Sequence, residues 1–161
     1  MGVFSYILLF LSALPIQLKV IPLFAVKGII PNVLSVLIIS LTLQHGRFYG
    51  IFAGFVIGLS ADLLGTGLVG ASSFANTLLA FIVGLLGRTQ LERKFGNLVS
   101  LMLVALFVRD GVYFLIQGLG SSLGFWRITF VQALPHACYT LVFILIFHLL
   151  FPRLFQTTIR Y

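Results

Sequence analysis

At 161 residues, 60% hydrophobic and 8% charged, with a mean hydropathy of +1.18, the chain exceeds the roughly 45 to 50% apolar content of a soluble domain. A membrane span takes about 20 apolar residues, so this length holds five or six spans and leaves no room for a soluble domain beside them. The net charge of +7 does not point to nucleic acid, because the basic residues are scattered and only Arg93 and Lys94 adjoin; Cys138, the single cysteine, excludes an intrachain disulfide and a C-x-x-C redox or metal pair.

The first predicted span runs from about Val3 to Leu18, with Pro15 bending or ending it and Lys19 interrupting it. It lacks a positive n-region and a small-residue cleavage site, so it reads as a span and not as a removable signal. Val20 to Ile30 carries Pro22, Lys27 and Gly28 and reads as an interfacial connection. Pro31 and Asn32 open a second, short span to about Leu43, because Pro suits a first turn and Asn satisfies free amides there. Gln44 to Arg47 is a polar turn, and the third span follows from Phe48 to Leu64. The uncharged Gly65 to Gly70 turn, with Gly65, Gly67 and Gly70, leads to a fourth span ending near Gly87. The most charged loop, Arg88 to Gly96, precedes a fifth span from about Asn97 to Leu119; Trp126 and Arg127 lie in the next turn, and the sixth span runs from about Phe130 to Phe151. The expected fold is an all-α integral membrane protein, one transmembrane domain over residues 1–161, built as a compact bundle of six helices, or five if the second segment is re-entrant.

Small residues recur at four-residue spacing on the third and fourth spans. Gly50, Gly54, Gly58 and Asp62 share one helix face, and Ser72, Asn76, Ala80 and Gly84 share another. Close backbone approach along such stripes is how helices associate in lipid, and helix packing is the ordinary reading of Gly50, Gly54, Gly58, Ala80 and Gly84. At about 1.5 Å per residue, Asp62 lies roughly 21 Å along its helix and Arg109 roughly 18 Å along its own, similar depths from one membrane face. Intramembrane charge is expensive and seeks a partner or a wet cavity. Asp62, Asn76, Arg109 and Asp110 are therefore expected to form one polar cluster or pocket, with Asp62 and Arg109 as an ion pair. Tyr113 and Gln117 share the Arg109 face, and Gln132, His136 and Thr140 make a comparable face on the sixth span. No second ligand at metal spacing accompanies His136. Ser72 suits a helix cap, and neither Ser72 nor Ser73 has a base nearby in sequence, so catalysis is not expected.

Six spans put both termini on one side of the membrane. With the termini cytoplasmic, Arg47, Arg88, Arg93, Lys94, Arg153 and Arg160 face inward and Lys19, Lys27 and Arg127 outward, the orientation that the positive-inside rule favours.

The Pro31-Asn32 helix start, then Gly46, Gly50, Gly54, Gly58-Leu59 and Asp62-Leu63-Leu64, then the turn from Gly65 to Gly70, resemble the rod shape-determining protein MreD family. That family shows a P-D helix start, a G-x-x-x-G-L-x-x-D-L-L run and a G-x-x-x-G turn; Asn32 stands here where Asp is common. The resemblance implies a non-enzymatic scaffold subunit of the bacterial cell-elongation machinery in the inner membrane, without a cofactor. Its implied partners are MreC, RodA with its penicillin-binding transpeptidase, MreB and membrane lipids. The family is also similar to the six-helix substrate-binding subunits of energy-coupling-factor transporters. That similarity implies an alternative function, capture of a small molecule or lipid in an outward-facing polar pocket.

Overall fold

The computed structural model describes residues 29–65, 68–90, 95–118 and 133–150, with positions 10, 13, 15–20, 23 and 25 ahead of them. Five α-helices occupy the described residues: α1 (Val33–His45), α2 (Arg47–Leu64), α3 (Ala71–Gln90), α4 (Phe95–Gln117) and α5 (Leu134–Leu150). Two stretches among them, Arg47–Leu64 and Val99–Gln117, are long and apolar enough to cross a membrane. Most of the expected first span lies outside the described residues. Its end is a π-helical turn, Ile16–Val20, so the chain after Pro15 continues in a widened turn that includes an exposed Lys19.

The shortest helix is the most deeply buried. At 13 residues, α1 is about 20 Å long, short of a hydrocarbon layer of about 30 Å. Leu34, Val36, Ile38 and Ile39 are all enclosed, as expected of a helix that is apolar on every side. The extended backbone before α1 is satisfied by side chains from elsewhere. Gln17 donates to the Pro31 carbonyl at 3.1 Å and accepts from the Val33 N–H at 2.8 Å, and the Asn32 N–H donates to Thr140 Oγ1 at 3.2 Å. Asn32 Oδ1 accepts from the Ser35 N–H at 3.2 Å, the cap that the sequence suggests.

The expected four-residue turn between the second and third spans is shorter than anticipated. Helix α1 continues through His45 and α2 restarts at Arg47, leaving Gly46 alone at the corner. Its φ of 95° with ψ of 172° is a conformation open essentially to glycine, which is why one residue suffices.

Helices α2 and α3 form the closest pair in the fold. A Cβ on Gly54 would lie 2.6 Å from the Asn76 carbonyl oxygen, and one on Gly58 would lie 2.6 Å from that of Ser72. Backbone thus rests on backbone over this part of the seam. Gly50 differs: it faces the Thr42 side chain of α1, so the glycine stripe serves two neighbours. Lower on the seam, Gly84 leaves room for Arg47, whose Cβ would be 2.7 Å from an added methyl, and Ala80 is fully enclosed. A common apolar core draws Ile38 and Ile39 from α1, Ile57 from α2, Leu79 and Val83 from α3, Leu106 from α4 and Ile144 from α5.

Candidate functional site

Asp62, Asn76, Arg109 and Asp110 are all buried, but they fall into two groups where the sequence suggested one. In the first, Asp62 at the end of α2 reaches the start of α3. Its Oδ2 accepts from the Gly70 N–H at 2.9 Å and the Ser73 N–H at 3.1 Å, and its Oδ1 accepts from the Ser72 N–H at 3.1 Å. The Ala71 N–H donates to the Leu68 carbonyl at 3.2 Å and the Phe74 N–H to that of Gly70 at 2.9 Å. All four amides that a helix start leaves without an intrahelical partner, or share with the preceding turn, are thereby occupied. Ser72 is not the cap: it lies inside the first turn, and the carboxylate ten residues earlier does that work. Ser73 Oγ adds a bond to the Phe55 carbonyl at 3.1 Å, tying the same turn back to α2.

Physically, Asp62 is well placed without any cation. It is 5% exposed, its charge sits at the positive end of the α3 dipole, and three N–H donors surround it. Hydrogen bonds to a charged group contribute about 1.5 to 3 kcal/mol each. The expected Asp62–Arg109 pair is accordingly not formed, because each side chain has partners nearer to hand.

The second group joins α3, α4 and α5. Arg109 Nη1 forms an ion pair with Oδ1 of Asp110, the next residue on α4, and its Nε donates to Asn76 Oδ1 at 3.1 Å. The guanidinium lies over the Tyr113 ring at 5.4 Å from its centroid. The other carboxylate oxygen of Asp110 meets His136 Nδ1 at 2.9 Å, and the imidazole packs edge-on to Phe114. Asn76, Arg109 and Asp110 are 1%, 3% and 0% exposed. Charges this deep are tolerated when paired and hydrogen-bonded, and here each charged group has at least two polar or aromatic neighbours. The structure thus brings Asn76, Arg109 and Asp110 together and leaves Asp62 outside their network.

Sequence reasoning missed His136 as the partner of Asp110 because no spacing rule connects residues 26 apart on different helices. The Asp62 clamp did leave a trace. A helix beginning at Gly-Ala after a glycine turn has no capping side chain of its own, and the nearest acid precedes it by a turn's length. Gly67 and Gln132 lie outside the described residues. Among the described residues no cluster of three or more metal-ligating side chains occurs, and no hydroxyl or thiol hydrogen-bonds His136.

Between the two groups lies a cleft of about 390 Å³, lined by Ala61, Asp62, Gly65 and Ser72 on one side and Tyr113, Phe114 and Gln117 on the other. Gln117 Nε2 donates to the Tyr113 hydroxyl across its wall at 3.3 Å.

The family profile of rod shape-determining protein MreD matches residues 1–158, and so takes in α1 to α5, the Asp62 clamp and the Arg109 network together. The chain belongs to the MreD family. It is a membrane protein with a role in determining rod shape, in a family that is structural and not known for enzymes. No curated protein and no solved structure gives a significant match. For an MreD-family chain, the Arg109–Asp110–His136 network and the Asp62 clamp are internal fastenings of the bundle, the first joining α3, α4 and α5 and the second joining the consecutive helices α2 and α3.

Proposed function

We propose that this chain is a non-enzymatic scaffold subunit of the cell-elongation complex in the bacterial inner membrane. It crosses the membrane six times with both termini in the cytoplasm, and acts with MreC. With RodA, its penicillin-binding transpeptidase and MreB it directs lateral peptidoglycan synthesis. The observation that carries this reading is the family match over nearly the whole chain, joined to the way the buried charges are used. Asp62, Arg109 and Asp110 are engaged in holding helices to one another, which suits a rigid partner-binding bundle. Exposed aromatics on α2 and α3, Phe48, Phe52, Phe55, Phe74 and Phe81, supply a broad apolar face for lipid and partner spans. The test is co-purification of tagged MreC with this chain from solubilised membranes, and rescue of rod shape in a depletion strain. Recovery of MreC with rescue is expected; loss of both would overturn the reading.

The cleft beside Asp62 favours a second reading, capture of a small molecule or a lipid headgroup at the outer end of the bundle. Its volume is within the usual range of ligand pockets, about 300 to 1,000 Å³.

A further inference from the structure

We propose that the cleft between α2, α3 and α4 binds a neutral, polyhydroxylated ring, either a free sugar or the sugar headgroup of a glycolipid. The inference rests on the second reading above and not on the scaffold role.

Its chemistry follows from what lines the walls. Among the described residues no lysine or arginine lines the cleft, and the nearby Arg109 is already paired with Asp110 and bonded to Asn76. A phosphate or carboxylate ligand would therefore meet the Asp62 carboxylate with no cation among the described lining residues to balance it. A strongly cationic ligand would have to compete for the Asp62 carboxylate with three backbone N–H groups and the α3 dipole. What remains is a set of neutral or half-spent hydrogen-bonding groups. Asp62 Oδ1 accepts a single bond, from Ser72 N–H, and keeps acceptor capacity. The Tyr113 hydroxyl accepts from Gln117 and still has its own proton to donate. The Gln117 carbonyl and the Ser72 hydroxyl have no protein hydrogen bond among the described residues.

These groups supply both donors and acceptors around a space of about 390 Å³, and two aromatic residues line it with them. Phe114 and Tyr113, which meet edge to face at 5.3 Å, both line the cleft and supply the aromatic wall that the C–H face of a sugar packs against. Hydroxyls spread around a ring can satisfy several such groups at once. A simple alkyl chain would leave them unpaired, at the cost of desolvating each one.

The experiment uses the full chain in phosphatidylcholine nanodiscs. Methyl β-D-glucopyranoside is the free probe, followed by saturation-transfer NMR; a monoglucosyl diacylglycerol in the disc is the lipid probe, followed by native mass spectrometry. Saturable binding of either probe is expected, and which one binds identifies the source. The Tyr113→Phe and Gln117→Leu variants remove hydrogen-bonding groups while keeping bulk, and each should weaken binding about tenfold. Their unfolding temperatures without ligand report folding separately. Binding that is unchanged in the Tyr113→Phe/Gln117→Leu double variant overturns the site. Displacement by inorganic phosphate or phosphatidylglycerol overturns the neutral sugar class but leaves a ligand pocket standing. Silence from the sugar probes and both anions overturns the pocket as well, while leaving MreC co-purification untouched.

Discussion

A carboxylate in a membrane helix is usually assigned a cation, and Asp62 shows that backbone amides serve as well. Its three N–H donors are fixed by the first turn of α3, so their loss cannot be repaired by a moving side chain. Asp62→Ala strands them in a low-dielectric interior and should cost about 3 kcal/mol or more, read as a lowered unfolding midpoint in detergent. Combined with Arg109→Gln, its effect should add within about 0.5 kcal/mol, because the two side chains share no partner. The Arg109–Asp110 pair should behave otherwise. Arg109→Gln or Asp110→Asn alone leaves a buried charge uncompensated, at about 3 to 5 kcal/mol, and the double neutral variant should regain a large part of that loss. A double-mutant cycle on each pair measures both expectations. Coupling between Asp62 and Arg109, or additivity between Arg109 and Asp110, would contradict the arrangement.

Among the elements, the α2–α3 seam is the most sensitive to volume. Leucine at Gly54 or Gly58 has nowhere to go, since the first added carbon already meets the backbone of α3 and backbone cannot rotate aside. Both variants should reduce the yield of folded protein sharply, and Gly58→Ala should already lower the unfolding midpoint. Gly70→Ala tests a different quantity. Nothing lies within 4 Å of its added carbon, but its φ of +99° is strained for any L side chain, so a loss of about 1 to 2 kcal/mol is expected from backbone conformation alone. Phe48→Leu is the control: Phe48 is 86% exposed at the start of α2, and the change should leave stability near wild type. Equal tolerance at Gly58 and Phe48, in the same detergent assay, would place the stripe on the lipid side.

For the whole molecule, the remaining expectation is orientation. Cysteines introduced at Leu68, exposed in the turn before α3, and at Gln90, the last residue of α3, report opposite ends of the bundle. In a Cys138→Ala background, needed because Cys138 is itself exposed, an impermeant thiol reagent applied to intact cells should label position 68 and spare position 90. The reverse pattern would invert the protein and turn the cleft toward the cytoplasm, removing the outward-facing ligand reading while leaving the helix packing unchanged.

Much of this protein is a consequence of composition and local pattern, and those were readable in the chain. The apolar runs, the Asn32 cap, the glycine turn after Leu64 and the four-residue spacing of Gly54 and Gly58 follow from nearest-neighbour geometry, because a helix fixes which residues share a face. That geometry also put Asp62, Asn76 and Arg109 at similar depths and so suggested one cluster with Asp110. It could not say which partner each would take. Depth along a helix is set by counting residues, whereas direction around the axis depends on how helices rotate when they pack. Asp62 turned toward the amides of α3 because Gly54 and Gly58 bring that helix start within hydrogen-bond reach. Asp110 took both its sequence neighbour Arg109 and His136 from α5, a contact that exists only once α4 and α5 have met. The one-residue corner at Gly46 and the burial of the short α1 were likewise decided in three dimensions: a 13-residue apolar helix is stable at the centre when Gln17 and Thr140 satisfy the backbone at its start, and those donors and acceptors come from opposite ends of the sequence.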